Sequence, residues 1–447
     1  MNFQESVRYL LSLGRELAAP TQAAAAKFNL ENSTVLANSL GHPEQKYPSA
    51  HIAGTNGKGS TAAFLESILR HAGYRTGLYT SPHLERMNER IRVNGQEIGD
   101  DAFAETLTRI LALIEMLLAE GELRAHPTYF ECVTAMALEY FARSGVQFGV
   151  FEVGLGGRLD ATNILSPVVS LITPIDFDHE NFLGHSLKEI AAEKAGILKP
   201  DTPLVLAGQH LEAREVVLAR ARELRCPVIE TGAAYRVDQQ SSENGCIRAR
   251  ITEIATGWSV EIAPSLRGRF QLENALNAVA AARVLNARGF RIKEESIAQG
   301  IAAAEWPGRL EKLHLRPDVY LDGAHNPSAA RELAAFWEQN FAGRKVWLLY
   351  GALRDKAVDE FAGALFPLAA EVIFTQPRTS RAISAAQLAE IAGHHAVRST
   401  VIVDAEEALE HALAHAASDD VIFITGSLYL VGQLWHRWKH RAQVAAR

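Results

Sequence analysis

Short apolar runs alternate with segments of helical period along most of this chain, and that alternation restricts its fold more than any other feature. The first series of runs is predicted to form strands at 50–53, 75–79, 148–153, 168–173 and 203–207. Between them, 60–72 and 129–144 repeat their apolar residues with the period of a helix. Because the strand runs are continuously apolar, they suit strands buried on both faces of a mostly parallel sheet.

A glycine-rich loop, "GTNGKGS", follows the first predicted strand. It contains three glycines, Gly54, Gly57 and Gly59. Glycines allow tight turns that bring backbone N–H groups against an anion, and Lys58 adds a full positive charge. Ser60 and Thr61 begin a helix, whose N-terminus favours phosphate. The common phosphate-loop pattern has a Mg²⁺-ligating hydroxyl directly after the lysine, where this chain has Gly59, so the metal ligand is expected elsewhere.

Polar residues follow the other strands of this first series. Ser81 stands after the second strand and Glu152 near the end of the third, where a carboxylate is costly unless it is paired or binds a metal. Three titratable residues, Asp176, Asp178 and His179, follow the fourth strand, at the edge where parallel sheets bind ligands. A turn at Ser81, an ion pair at Glu152 and a structural histidine remain alternatives. The pattern alone predicts that Lys194 is a surface lysine.

A second series of strand and helix runs begins near residue 310, after a small antiparallel insertion predicted at about 230–265. In "LDGAHNP" we expect Asn326 to cap a helix, whereas Asp322 and His325 have no evident structural role. Arg309 lies at the junction and Ser427 follows the last strand. The sequence contains no G-x-S-x-G elbow, which argues against a hydrolase triad.

The predicted fold class is therefore α/β. A mostly parallel sheet domain containing the phosphate loop is expected over residues 1–305, followed by a smaller doubly wound, Rossmann-like α/β domain over 306–447. A chain of 447 residues is long enough for two or three domains.

Composition and charge argue against several classes of partner and of site. The net charge of -7 argues against a nucleic-acid partner, and no apolar run is long enough for a membrane span. The three cysteines form no C-x-x-C, so neither a zinc site nor a disulfide framework is expected. Glu5 and Arg8 interrupt the apolar stretch that a signal peptide would need. We expect a cytoplasmic protein.

Nearly the whole chain resembles the folylpolyglutamate synthase/dihydrofolate synthase family of the Mur ligase superfamily. The motifs that carry the resemblance are "HIAGTNGKGS", "TSPHLERMNERIRVNG", "EVGLGGRLDATN", "DHENFLG", "EKAGILK", "NALNA", "WPGRLE" and "LDGAHNP". The resemblance implies a monomeric ATP- and Mg²⁺-dependent amide ligase. Its substrates would be L-glutamate and either dihydropteroate or a reduced folate, joined through an acyl phosphate.

The resemblance also implies roles for individual residues. The ATP-binding set would be Gly54, Thr55, Asn56, Gly57, Lys58, Gly59, Ser60, Thr61, Asn274, Arg309 and Asp322. The Mg²⁺ ligands would be Ser81, Glu152 and His179. The catalytic residues would be Lys58, Lys194, His325 and Ser427. Lys194 would match a lysine that is carbamylated in the family. His325 and Ser427 would lie near the glutamate end of the reaction.

Two other functions stay open at this stage. A Mur-type ligase would add an amino acid to a UDP-sugar peptide precursor, although only about 50 residues precede the phosphate loop, which is short for a domain that holds UDP. A regulatory ATPase would hydrolyse ATP without forming an amide. Folate binding in the presence of nucleotide would distinguish the ligase from the ATPase.

Overall fold

A computed structural model describes residues 1–14, 29–313, 316–354, 356–396 and 398–445. The chain forms two compact units. Unit 1 comprises Met1–Gln240, Arg248–Pro264 and Leu272–Ala304. Unit 2 comprises Ser241–Ile247, Ser265–Gln271 and Glu305–Arg447.

The strands, in chain order, are β1 Ser49–Ala53, β2 Thr76–Tyr79, β3 Ile91–Val93, β4 Gln96–Glu97, β5 Phe148–Glu152, β6 Val169–Ile172, β7 Leu204–Leu206, β8 Val228–Glu230, β9 Tyr235–Glu243, β10 Cys246–Glu253, β11 Ser259–Ile262, β12 Glu311–Leu313, β13 Asp318–Leu321, β14 Val346–Tyr350, β15 Glu371–Phe374, β16 Ser399–Val401 and β17 Val421–Thr425.

The described α-helices are α1 Phe3–Ser12, α2 Glu31–Ser39, α3 Lys58–His71, α4 Asp100–Ala119, α5 Tyr129–Arg143, α6 Glu180–Leu183, α7 Leu187–Ala195, α8 Leu211–Glu223, α9 Thr231–Ala234, α10 Arg269–Ala287, α11 Glu294–Ala303, α12 Pro327–Asn340, α13 Val358–Leu365, α14 Ala385–Ala392, α15 Ala405–His415 and α16 Leu428–Ala445. Short 3₁₀ segments are Pro43–Gln45, Met87–Arg90, Ala161–Ile164, Phe366–Leu368 and Gly393–His395.

The main sheet of unit 1 has the order β4-β3-β2-β5-β1-β6-β7-β8. From β2 to β8 its strands are parallel, and β3 and β4 add an antiparallel edge. Every residue of β1, β2, β5 and β6 is buried, which is why these strands read as continuous apolar runs. This pairing confirms the prediction of a mostly parallel sheet. Because the strands are parallel, the loops after β2, β5, β1 and β6 emerge at the same edge of the sheet.

Separate apolar clusters pack against this sheet. One joins α4 and α5 to the sheet around Phe151, whose ring centroid lies 5.6 Å from that of Phe141. Another joins α7 and α8 to β6 and β7. Ser186 begins α7 with a capping box, in which its side chain accepts the N–H of Glu189. Packed helices therefore support the strands of this sheet.

The predicted antiparallel insertion is also present. It is a three-stranded sheet of order β11-β10-β9, in which β10 and β11 run antiparallel. Alternate residues of β10 are buried, as expected for a sheet with one face packed and one face in solvent.

The sheet of unit 2 has the order β12-β13-β17-β14-β15-β16. All its strands are parallel except the edge strand β12. Its core includes Tyr320 stacked on Phe423 at 5.9 Å and Trp337 at 5.0 Å from the same ring. The prediction of a smaller Rossmann-like unit is confirmed. Among the described helices, none has the length and apolar character that crossing a membrane requires.

Candidate active site

The loop between β1 and α3 requires glycine at two positions. Gly54 has φ +150°, and a Cβ there would lie 1.8 Å from Thr173 Oγ1. Gly57 has φ +84°, and its Cβ would lie 2.2 Å from Asn274 Oδ1. Neither a positive φ nor such close contacts suit a residue with a side chain. The loop thus passes directly against Thr173, the residue after β6, on one side and against Asn274 of α10 on the other.

Lys58 begins α3 and folds back over this loop. Its Nζ donates to the carbonyl oxygens of Gly54 and Thr55, both at 3.1 Å. Ser60 and Thr61 are buried in the first turn, and the Thr61 N–H is already bonded to Gly57 O at 2.9 Å. The lysine charge is therefore positioned over a glycine loop at a helix N-terminus, an arrangement that binds phosphate in other proteins.

The predicted metal ligands lie at or after the carboxyl ends of β2, β5 and β6, of which β2 and β5 are neighbours and β6 is separated from β5 by β1. Glu152 is only 5% exposed, and its Oε2 accepts the N–H of Ser81 at 3.1 Å. His179 follows β6 in a left-handed conformation (φ +52°), and its N–H donates to Asp178 Oδ1 at 2.9 Å. The structure brings Ser81 and Glu152 together, and it places His179 after a strand of the same sheet edge. Hydroxyl, carboxylate and imidazole groups can complete a Mg²⁺ shell together with water.

Lys194 is not on the surface, so the expectation from the sequence pattern was wrong. The side chain is 5% exposed, and Nζ donates to Gly54 O at 2.8 Å. Burial, together with the positive charge of Lys58, lowers its pKa from 10.5 to about 7. A signal was available: Lys194 lies three and four residues after Ala191 and Ile190, both buried, and thus shares their helix face.

Sequence reasoning missed the part played by Asp160. Its Oδ2 accepts the N–H groups of Gly154 and Leu155, each at 2.9 Å, and its Oδ1 accepts the N–H of Thr162 at 3.0 Å. Thr162 Oγ1 in turn lies 2.8 Å from Nε2 of His51, whose pKa is lowered to about 3 by burial. This buried network holds the glycine loop that follows Glu152. An Asp two residues before a Thr in "LDATN" was the available signal, since Asp readily bonds the backbone two residues on.

Asp322 of unit 2 does have a structural role, contrary to expectation. Its two oxygens accept the N–H groups of Leu310 and Ala324, both at 2.8 Å. The side chain is 5% exposed, and burial raises its pKa while the nearby Arg309 charge opposes that rise. Arg309 Nη1 donates to Gly308 O at 3.2 Å. The carboxylate thus fixes the "WPGRLE" turn to the end of β13.

Two further predicted residues lie beside this turn, at the ends of neighbouring parallel strands β13 and β17. His325 Nδ1–H donates to Gly323 O at 2.8 Å. Ser427 is 1% exposed, and its Oγ accepts the Tyr429 N–H at 3.1 Å. Asn326 caps α12 by accepting the Ala329 N–H at 2.9 Å, which confirms that prediction.

Comparison with known proteins gives a consistent result over nearly the full length. The Mur ligase middle domain family matches residues 52–282, and the family described as Mur ligase, glutamate ligase domain matches residues 308–428. A dihydrofolate synthase/folylpolyglutamate synthase of Bacillus subtilis is 36% identical over 415 residues, covering 90% of this chain and 92% of its own.

Solved structures agree with the sequence relatives. A Mycobacterium tuberculosis folylpolyglutamate synthase complexed with ADP has a TM-score of 0.87 and 31% identity, covering 98% of both chains. Escherichia coli FolC in complex with DHPP and ADP has a TM-score of 0.85 and 29% identity, again covering 98% of each chain.

Proposed function

Since the chain belongs to the dihydrofolate synthase/folylpolyglutamate synthase family of Mur ligases, we propose that it is an ATP-dependent amide ligase. It adds L-glutamate to dihydropteroate, to the glutamate chain of reduced folates, or to both. The observation that carries this proposal is the site in unit 1. There a phosphate-type loop with Lys58 lies at the same sheet edge as the Ser81–Glu152 contact.

The chemistry explains why such a site is needed. A carboxylate is a poor electrophile until one of its oxygens becomes part of a leaving group. Transfer of the γ-phosphoryl group of ATP to the acceptor carboxylate releases ADP and gives an acyl phosphate. The amine of glutamate then attacks the acyl carbon, a C–N bond forms, the C–O bond to phosphate breaks, and the amine loses a proton. Phosphoryl transfer depends mainly on positioning and on neutralising negative charge.

We assign nucleotide binding to both units. In unit 1 the residues are Gly54, Thr55, Asn56, Gly57, Lys58, Gly59, Ser60, Thr61 and Asn274. Loop N–H groups and Lys58 hold phosphates, while Asn274 supports the loop at Gly57. In unit 2, Arg309 and Asp322 would contact the nucleotide, and the fixed "WPGRLE" turn keeps Arg309 in place.

Ser81, Glu152 and His179 would hold Mg²⁺. The donor set fits, because it combines a buried carboxylate with a hydroxyl and an imidazole at one sheet edge. When bound, the ion supplies charge neutralisation for the phosphates. His325 and Ser427 are proposed to act near the glutamate end of the reaction.

Lys194 is proposed to be carbamylated. A pKa near 7 leaves much of the amine neutral at physiological pH, and the neutral amine is the form that attacks CO₂. The ammonium first loses one proton to give the neutral amine. The N–C bond to CO₂ then forms and a second proton leaves, so that a buried cation becomes an anionic oxygen ligand. Intact-mass measurement of protein kept in bicarbonate would show the added CO₂. An unmodified lysine in a fully active enzyme would contradict this role.

We further propose that residues 1–305 and 306–447 correspond to the ATP-binding and C-terminal functional domains, and that the enzyme is a cytoplasmic monomer. Small molecules are its proposed partners, without nucleic acid or membrane.

The function is tested with purified protein, ATP, Mg²⁺ and L-glutamate, supplying dihydropteroate or tetrahydrofolate side by side. We expect phosphate release that requires both acceptor and glutamate, with one glutamate added per ADP formed. Turnover only with UDP-linked peptide precursors would indicate the alternative Mur-type ligase. Hydrolysis of ATP regardless of acceptor, with no amide product, would indicate an ATPase instead.

A further inference from the structure

Three side chains in unit 2 bring potential metal-ligand atoms close together. None of the three belongs to the residues assigned to the reaction. Asp359 lies in the first turn of α13, and His394 and His395 lie in the 3₁₀ segment directly after α14. We propose that this histidine cluster, Asp359, His394 and His395, binds a divalent transition-metal ion of the Zn²⁺ class.

The distances suit such an ion. Nε2 of His395 lies 2.9 Å and Nε2 of His394 lies 3.5 Å from the same oxygen, Asp359 Oδ1. One potential ligand atom from each residue lies within 4.8 Å of the others. Zn–N and Zn–O bonds of about 2.0–2.1 Å place tetrahedral ligand atoms about 3.4 Å apart. The His394 contact already has that spacing, and the His395 contact needs to lengthen by only about 0.5 Å.

A hydrogen bond explains only part of the arrangement. The 2.9 Å contact from His395 to Asp359 is a normal hydrogen bond, but the His394 contact at 3.5 Å is longer than a good one. The two imidazole centroids are nevertheless 3.9 Å apart, and both Nε2 atoms lie within 3.5 Å of Asp359 Oδ1. A shared metal ion accounts for both rings.

His395 is packed against the protein, whereas His394 and Asp359 are exposed to solvent. The His395 ring lies over Gly363, one helical turn beyond Asp359, where a Cβ would already be 3.6 Å from Cε1. The His395 side chain is 26% exposed, whereas those of His394 and Asp359 are 61% and 62% exposed. This leaves room for water as a fourth ligand. Imidazole donors favour Zn²⁺, Cu²⁺ or Ni²⁺ over Mg²⁺.

Binding would tie the start of α13 to the end of α14, so it should stabilise the folded protein by mass action. The full chain is first stripped with a chelator and then saturated with Mg²⁺ and ADP, which protects the proposed nucleotide site. Zn²⁺ is titrated by calorimetry, and Co²⁺ serves as the spectroscopic probe. We expect one ion whose Co²⁺ complex gives visible absorption, and a Tm that rises with Zn²⁺.

Variants locate the ion. His394→Ala and His395→Ala should each weaken binding about tenfold or more, and Asp359→Asn should also weaken it. The matched control is His411→Ala combined with His415→Ala, a stacked pair on α15 with ring centroids 4.1 Å apart, which should leave the affinity unchanged. Circular dichroism and the metal-free Tm confirm that each variant folds. Absence of binding in the parent chain overturns the proposal, as does unchanged affinity when both His394 and His395 are replaced.

Discussion

Both parallel sheets have charged side chains near the carboxyl ends of their strands, but the hydrogen-bond partners of these charges differ between the two units. In unit 1 two cations, Lys58 and Lys194, both donate to the carbonyl of Gly54, in addition to the buried carboxylates Glu152 and Asp160. In unit 2 the buried anion Asp322 instead accepts two backbone N–H groups with its two oxygens. A lysine that donates to loop carbonyls can turn to a phosphate with little change in structure, whereas the two backbone bonds of Asp322 make its carboxylate part of the fold. Substitutions should therefore separate activity from stability at Lys58 and couple them at Asp322.

The largest effect is expected for Lys58→Ala. Removing the charge that faces developing phosphate charge should lower kcat by on the order of 10²–10³-fold. The side chain is only part-buried, so urea unfolding should change by less than about 0.5 kcal/mol. Lys46→Ala, an exposed lysine of the same unit, is the matched control. A collapse of stability together with activity would show that Lys58 is structural and would remove the contrast between the units.

Gly57→Ala should come next. An alanine there must adopt φ +84° and also displace Asn274, since its Cβ would lie 2.2 Å from Oδ1. Displacing the loop by about 1 Å should cost on the order of 10²-fold in kcat/KM, measured at subsaturating ATP. Gly73→Ala is the control for a positive-φ substitution outside the loop, because Gly73 has φ +90° but no atom within 4 Å of its Cβ, and it should leave kcat/KM unchanged. An equal loss of kcat/KM in both variants would mean that the effect does not come from the phosphate loop.

Asp322→Asn tests the other side of the comparison. The amide presents one acceptor oxygen and an NH₂ group, so one of the two backbone N–H groups loses its partner. The expected loss of unfolding free energy is about 1–3 kcal/mol. Asp419→Asn, at an exposed position of the same unit, should be close to neutral. If Asp322→Asn lowers ATP affinity while the unfolding free energy stays unchanged, its role is in ligand binding alone.

The last prediction concerns the pH dependence of stability. The pKa of Lys194 falls from 10.5 to about 7 on folding, so between these values the unfolded chain binds more protons. The free energy of unfolding should consequently rise with pH across that window, by up to about 1.4 kcal/mol per pH unit from this group. Below about pH 7 Lys194 is charged in both states, so the free energy of unfolding is lowered by the full cost of burying that charge.

Lys194→Met should remove that slope, measured by urea unfolding in CO₂-free buffer from pH 7 to 10. Lys188→Met, on an exposed position of the same helix, should retain it. An identical slope in both variants would mean that the Lys194 amine is not the source.

The sequence predicted those parts of the molecule in which local pattern and tertiary burial agree. Strands β1, β2, β5, β6 and β7 were placed within one or two residues because both faces are buried. The edge strands β3, β4 and β12 were not predicted, since each is short and the neighbouring strand, not apolar content, defines it. Asp322 was misjudged because its partners are backbone N–H groups, which a side-chain pattern does not record. Asp160 was missed although "LDATN" contained a signal for its backbone bonds.

The proposed reaction depends on an acyl phosphate formed at the unit 1 site, and isotope transfer tests that step most directly. Dihydropteroate carrying ¹⁸O in its carboxylate is incubated with the enzyme, ATP, Mg²⁺ and L-glutamate, and the released phosphate is analysed by mass spectrometry. Because the carboxylate oxygen becomes the bridge to phosphorus and the C–O bond breaks on amide formation, one ¹⁸O should appear in each phosphate. Amide formation accompanied by unlabelled phosphate would contradict the mechanism.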